Sequence, residues 1–179
     1  AADAQLGGHP GYTSRAGLAE ATILPDRSVD FIVAGQAFHW FDPAAARTEF
    51  RRILRPGGWA ALVWNVRRET DAPFLSGYQA LIEQFGVDYA QVDHTHVVDA
   101  ARLTTFFGAA GSVQHTFVNR QSLDLAGVID RLGSTSYMPA PDHSTYPALL
   151  AAIHTLFAET AQNNRVIMEY ATSLYIGRL

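Results

Sequence analysis

The sequence contains no cysteine. That excludes disulfides and thiolate metal sites and makes the cytosol the expected compartment. No apolar run reaches the roughly 18 residues of a membrane span, and no secretory leader pattern opens the chain. No basic patch stands out: 13 basic residues face 17 acidic ones, for a net charge of −4. Neither nucleic acid nor a membrane is therefore the expected partner. Charge is sparse at 17% of residues, against 48% apolar, which is globular composition and argues against disorder. A chain of 179 residues holds one domain with a sizeable core and is short for two. Repeats, low-complexity tracts and linkers are absent. So is an opening methionine: the chain begins Ala1-Ala2-Asp3, as natural trimming or a missing front would leave it.

What is present reads as alternating helix and strand. Residues 1–6 look like a last helical turn closed by Gly7-Gly8, followed by a His9-Pro10-Gly11 turn and a short strand over 12–15. Residues 29–35 (VDFIVAG) are short, apolar and bounded by turns, the pattern of a parallel strand covered on both faces. Asp42 and Pro43 suit the N-cap and first position of a helix running to about Leu54. Arg51, Arg52 and Arg55 crowd its end, where cations suit the dipole, and Pro56-Gly57-Gly58 is read as its stop. A second buried strand is predicted over 59–65, making 29–65 a right-handed β-α-β unit. Beyond it, helices are predicted over 72–85, 101–107, 125–132 and 146–161. Strands are predicted over 113–118 and 165–176, the latter with Val166, Met168, Tyr170 and Thr172 on one face.

Three ordered stretches carry a family resemblance. They are Gly17 to Asp30 (GLAEATILPDRSVD), Ala34 to Pro43 (AGQAFHWFDP), and Glu49 to Gly58 (EFRRILRPGG) leading into the strand that ends Trp64-Asn65. In this order and spacing they resemble the type 11 group of class I S-adenosylmethionine (SAM)-dependent methyltransferases, which is similar to quinone-biosynthesis and trans-aconitate methyltransferases. The resemblance implies an α/β fold: a Rossmann-like three-layer sandwich with a mostly parallel sheet, its first two strands missing, and helical lid insertions over 66–111 and 120–164 of a single incomplete domain, 1–179. It implies SAM as cofactor, lying at the C-terminal strand ends, and a small-molecule methyl acceptor as partner. Ala19 and Glu20 fall where the family touches adenine, Gly35, Gln36 and Ala37 beside the methionine moiety, and His39 and Trp40 near the methyl-donor face. Many relatives carry Asp where Leu18 stands. Gly7 to Gly11 is read as a cap and turn, since it follows a helix end rather than a strand and Pro10 removes an N–H. The glycine-rich cofactor loop would then lie upstream, and this chain alone would be impaired in catalysis.

In such a site the cofactor carries the chemistry and the protein aligns the acceptor. His39 is the candidate general base where the acceptor must lose a proton; it could instead cap a helix start or pack on Trp40. Trp40 and Phe41 could wall the site or belong to the core. Asn65 could face the ligand edge or satisfy loop backbone. Phe74, Tyr78, Phe106, Phe107, Tyr137 and Tyr146 could line an apolar acceptor pocket or pack on the sheet. Asp93-His94-Thr95-His96 with Asp99 has the residue types of a zinc site, but the polar surroundings favour a solvated loop and no metal is expected. Ser14 and Ser134 lack the Gly-x-Ser-x-Gly context of a hydrolase. Two other readings stay open: a non-catalytic binding domain derived from a methyltransferase, and a nicotinamide-dependent oxidoreductase, which no Gly-x-Gly-x-x-Gly supports. Without two front strands, residues 29–35 would form an exposed apolar edge, and the chain is expected to form a homodimer through that edge, to swap strands, or to leave residues 1–16 poorly placed.

Overall fold

A computed structural model describes residues 2–68, 72–87, 99–135 and 137–179. The start of its first long helix is set by Asp42. This residue is extended, and its carboxylate accepts from the amides of Ala44 and Ala45 at 2.9 Å each. Pro43, with no N–H to orphan, takes the first helical position. Helix α2 (Pro43–Ile53) follows and buries Ala46, Glu49, Phe50 and Ile53, an i, i+3, i+4, i+7 stripe. Strand β1 (Val29–Gly35) precedes it and β2 (Leu54–Arg67) follows directly. Pro56-Gly57-Gly58 therefore lies inside β2 rather than between helix and strand. The glycines explain the difference. Gly57 has φ +84°, and a Cβ on Gly58 would stand 2.9 Å from the carbonyl oxygen of Asp30, so β2 can run against the backbone of β1 from its outset.

Helices α1 (Ala2–Leu6), α3 (Pro73–Phe85), α4 (Ala100–Phe107), α5 (Leu125–Gly133) and α6 (Tyr146–Thr160) and strands β3 (Val113–Leu123) and β4 (Val166–Gly177) complete the order. The described strands form one sheet, β1-β2-β4-β3, so the last strand inserts between β2 and β3. It is reached from α6 through a tight reversal in which Asn163 and Asn164 both have positive φ. Gln162 and Arg165 exchange backbone bonds of 2.9 and 3.0 Å around them, the geometry of a two-residue primed turn.

Three strand expectations need correction. Residues 12–15 are irregular. β1 is covered on one face only: Phe31 is 49% and Val33 60% exposed. In β4 the buried face runs Val166, Met168, Tyr170 and then changes phase to Ser173, Tyr175 and Gly177, leaving Thr172 half-buried. The chain divides into two compact units, the first holding residues 1–62, 98–113 and 175–179 and the second 63–97 and 114–174.

The first unit has a phenylalanine core around Phe38, Phe50, Phe106 and Phe107, all at most 4% exposed. The second packs α3, α5 and α6 on β4 through residues such as Tyr78, Ile82, Val128, Ile153 and Met168. In it Gly77 of α3 lies against Leu156 of α6, whose Cδ1 would be 2.4 Å from an added Cβ. No helix among the described residues is long and apolar enough to cross a membrane.

Candidate functional site

The chain turns sharply at the C-terminal end of β1. Gly35 closes the strand, and a Cβ there would meet nothing within 4 Å, so the strand end is open to a ligand. Gln36 follows with φ +51°. A left-handed non-glycine residue costs about 1–3 kcal/mol, and such residues gather at functional sites, where the surroundings hold them. Half-buried Ala37 then leads into a single 3-10 turn, Phe38–Trp40.

Within Phe38-His39-Trp40-Phe41 the side chains divide. Phe38 is 1% exposed and meets Phe106 edge-on at 4.9 Å and Phe41 at 5.8 Å. Phe41 in turn meets Phe50 at 6.2 Å. Edge-to-face contacts of this kind add to the burial of the rings, so the two phenylalanines anchor the turn. His39 and Trp40 point the other way. Both are exposed, Trp40 by 80%, with ring centroids 4.7 Å apart. An exposed indole held on buried anchors is the informative feature, since solvent exposure of so large a ring is unusual. Trp40 is thus a surface platform and Phe41 a half-buried core contact.

The loop before β1 reaches this turn. The Ala21 amide donates to the Leu18 carbonyl at 3.1 Å, which puts half-buried Ala19 and Glu20 at the tip of a tight turn. Oε1 of Glu20 accepts from the amide of Asp42 at 2.8 Å, two residues past Trp40. Further along, Thr22 donates from its amide and hydroxyl to Oε1 of Glu49 at 2.8 and 2.6 Å. Arg52 grips the same carboxylate with Nε at 2.8 Å and Nη2 at 2.7 Å and reaches Asp26 with Nη1 at 2.6 Å. The Arg52 hydrogen bonds first, and then the Thr22 hydroxyl, hold the Glu49 carboxyl down to about 2 against the opposing effect of its burial. The Glu49–Arg52 pair therefore fastens loop 18–28 to α2. Sequence reasoning assigned Arg52 to the helix dipole and gave Glu49 no role; their i, i+3 spacing was the available signal.

The structure thus gathers Ala19 and Glu20 and the run Gly35, Gln36, Ala37, His39, Trp40 around the β1 end and the start of α2. Other candidates go elsewhere. Asn65 accepts from the Thr172 hydroxyl, and Asn119 Nδ2 lies 3.4 Å from both, so it serves a polar bridge across β2, β4 and β3. Phe106 and Phe107 belong to the core of the first unit, and Phe74 and Tyr78 to that of the second, with Tyr137 and Tyr146 packed on it. Gly7 caps α1 through its amide to the Asp3 carbonyl at 3.0 Å, and Gly11 donates to Nδ1 of His9 at 3.1 Å, a cap and turn. Ser134 donates to the Arg131 carbonyl at the end of α5. Asp93, His94 and His96 lie outside the described residues. Asp99 caps α4 by accepting from the Ala101 amide at 2.8 Å, and the described residues hold no cluster of three His, Asp or Glu able to bind a metal.

Comparison with known proteins bears on the same segment. Residues 2–62 match a family described as a methyltransferase domain. An uncharacterised methyltransferase of Mycobacterium bovis is 55% identical over 53 residues, 30% of this chain and 22% of that protein. One of Schizosaccharomyces pombe is 40% identical over 75 residues, 42% of this chain and 30% of that protein. The chain thus covers less than a third of the length of either relative. Among solved structures, a chain from Anaeromyxobacter dehalogenans assigned provisionally as a type II methyltransferase superposes with a TM-score of 0.64 at 20% identity, over 95% of this chain and 73% of that one. The shared fold is the Rossmann-like α/β fold.

Proposed function

From a chain whose residues 2–62 match the methyltransferase domain family, we propose a protein that transfers a methyl group from SAM to a small-molecule acceptor. The observation that carries this reading is the turn after β1: an open strand end at Gly35, a left-handed Gln36, and an exposed His39-Trp40 pair on buried phenylalanine anchors. The residues fit the cofactor chemically. SAM supplies an activated methyl on a cationic sulfonium. An indole face attracts such a cation by about 0.5–2 kcal/mol, and Trp40 presents one. The open backbone of Gly35 and Gln36 would admit the methionine moiety. Ala19 offers an amide to an adenine nitrogen, and Glu20 keeps one carboxylate oxygen beyond the one bound to Asp42.

Each residue then has a defined task. Trp40 excludes water from the face along which the acceptor approaches. Phe38 and Phe41 hold the turn so that alignment is set before the acceptor arrives, which supplies a large share of the rate in a one-step displacement. His39, next to Trp40, takes the proton from an acceptor that must lose one. Calorimetric titration of the purified full-length protein with SAM and separately with NAD tests the reading. Heat with SAM alone is expected. Heat with NAD and none with SAM would favour hydride chemistry on the same fold and sink it, and SAM binding without methyl transfer to any acceptor in a broad screen would leave a binding domain.

A further inference from the structure

We propose that Arg102 of α4 is a positioning residue for the His39-Trp40 turn, acting with Glu20 on the two ends of one peptide group. The Phe41–Asp42 peptide has its N–H on Asp42 and its C=O on Phe41. The N–H donates to Oε1 of Glu20 at 2.8 Å. The C=O accepts from Nη2 of Arg102 at 2.6 Å. A carboxylate and a guanidinium thus clamp a single amide from opposite sides, each polarising it in the sense that strengthens the other bond. The same Nη2 lies 3.3 Å from the Phe38 carbonyl, and Cζ of Arg102 stands 5.6 Å over the Phe38 ring. Arg102 therefore touches both residues that anchor the turn.

The physical need is specific. A one-turn 3-10 segment satisfies little of its own backbone: Trp40 N bonds to Ala37 O at 3.0 Å and Phe41 N to Phe38 O at 3.1 Å, which leaves the carbonyls at its exit to outside donors. A charge-assisted donor is roughly twice as strong there as a neutral one. Arginine's planar fork also serves a carbonyl and an aromatic face together, which lysine cannot. Helix α4 is itself fixed for the purpose, since Asp99 caps its start and Arg47 of α2 donates to the Phe106 carbonyl. The loop carrying Ala19 and Glu20, the turn carrying His39 and Trp40, and α4 are thereby tied at one amide. Any displacement of α4 is transmitted to Trp40. Glu20 belongs to the site first as part of this clamp.

The inference about SAM alignment rests on the proposed methyltransferase reading; the clamp itself does not. The test measures amide hydrogen exchange at Asp42, with Ile153 of α6 as control, beside SAM affinity in the purified full-length protein. Arg102→Met, which keeps the stem and removes the donors, should speed exchange at Asp42 by about tenfold or more, leave Ile153 unchanged, and weaken SAM binding by about tenfold. Arg102→Lys should recover part of both. Glu20→Gln should speed Asp42 exchange too, and the double variant should lose less than the product of the single effects, because both act on one peptide. Unchanged exchange at Asp42 overturns the clamp, as does equal acceleration at Asp42 and Ile153 or strict independence of the two substitutions. If Arg102→Met does not fold, Arg102→Lys and Glu20→Gln decide alone, and no rise at Asp42 in either overturns it. Wild-type protein that binds no SAM but shows the exchange pattern refutes the methyltransferase reading and leaves the clamp standing.

Discussion

His39 and Glu49 show how differently two titratable residues ten positions apart are used. His39 stands exposed beside Trp40, where it costs the fold little and can meet a ligand. Replacing it by Asn keeps a polar side chain and removes the base. His39→Asn should lower kcat by about 100-fold, within the usual range for loss of a positioned base, change SAM affinity by less than about twofold, and flatten the acid limb of the pH–rate profile. An unchanged kcat would remove His39 from the chemistry. Glu49 is 8% exposed and acts on stability. Its carboxyl is depressed to about 2, by Arg52 first, so its contribution is complete above the unfolded carboxyl range near 4.3 and fades as pH falls toward 2. Glu49→Gln should destabilise the protein by about 2 kcal/mol at neutral pH, and the gap from wild type should close between about pH 4.5 and 2 in acid-dependent denaturant melts. A gap constant with pH would refute the assignment. Arg52, which donates to the Glu49 and Asp26 carboxylates, is one of several guanidiniums that staple backbone or loops: Arg55 and Arg165 donate to carbonyls, and all 13 basic residues are arginine.

Among the elements, two glycines separate backbone from side-chain constraint. At Gly58 an added Cβ would stand 2.9 Å from the Asp30 carbonyl oxygen and 3.0 Å from that of Arg55, neither of which yields without moving a strand. At Gly77 the clash is with the terminal methyl of Leu156, which can turn. Alanine there also gains about 1 kcal/mol of helix propensity against an overpacking cost of about 1–3 kcal/mol. Chemical denaturation should therefore place Gly58→Ala about 2 kcal/mol below wild type and Gly77→Ala no more than about 1 kcal/mol below it; the reverse order would contradict the geometry. The same contrast explains what the sequence made legible. α2 could be read because Asp42, Pro43 and its apolar stripe are local signals. The direct passage from α2 into β2 could not, because Gly58 is dictated by β1, a neighbour distant along the chain. β3 runs five residues past the predicted 118 because its pairing with β4 extends there. The candidate site was legible as a list, Ala19 to Trp40, through family motifs. Its clamp was not, since Arg102 lies more than 60 positions from the turn it holds and in no motif.

On the scale of the whole molecule the open question is the two sheet edges among the described strands. Native edges are blunted by lysine, proline, bulges or inward charges. This chain has no lysine. In β1 the only charge is Asp30, already paired with Arg55 at 2.7 Å, and the run Phe31-Ile32-Val33-Ala34 is wholly apolar with Phe31 and Val33 exposed. β3 also exposes Val113, Phe117 and Val118, but it interleaves them with His115, Asn119, Arg120 and Gln121, and Arg120 is tied to Glu169 at 2.8 Å. The β1 edge is therefore the better template, and a second copy of the chain is the occupant we expect. Two β1 strands pairing about a twofold axis would each satisfy the other's open backbone and place Phe31 and Val33 side by side across the pair, an isologous contact that closes on itself. Sedimentation equilibrium should show concentration-dependent dimerisation of the wild type. Val33→Lys should weaken it by at least about tenfold, since a lysine on an edge strand opposes pairing, whereas Val118→Lys should leave it unchanged. Loss of association in Val118→Lys alone would move the interface to β3, and a wild type that stays monomeric at all concentrations would mean that exposed apolar side chains on β1 do not suffice to recruit a partner strand.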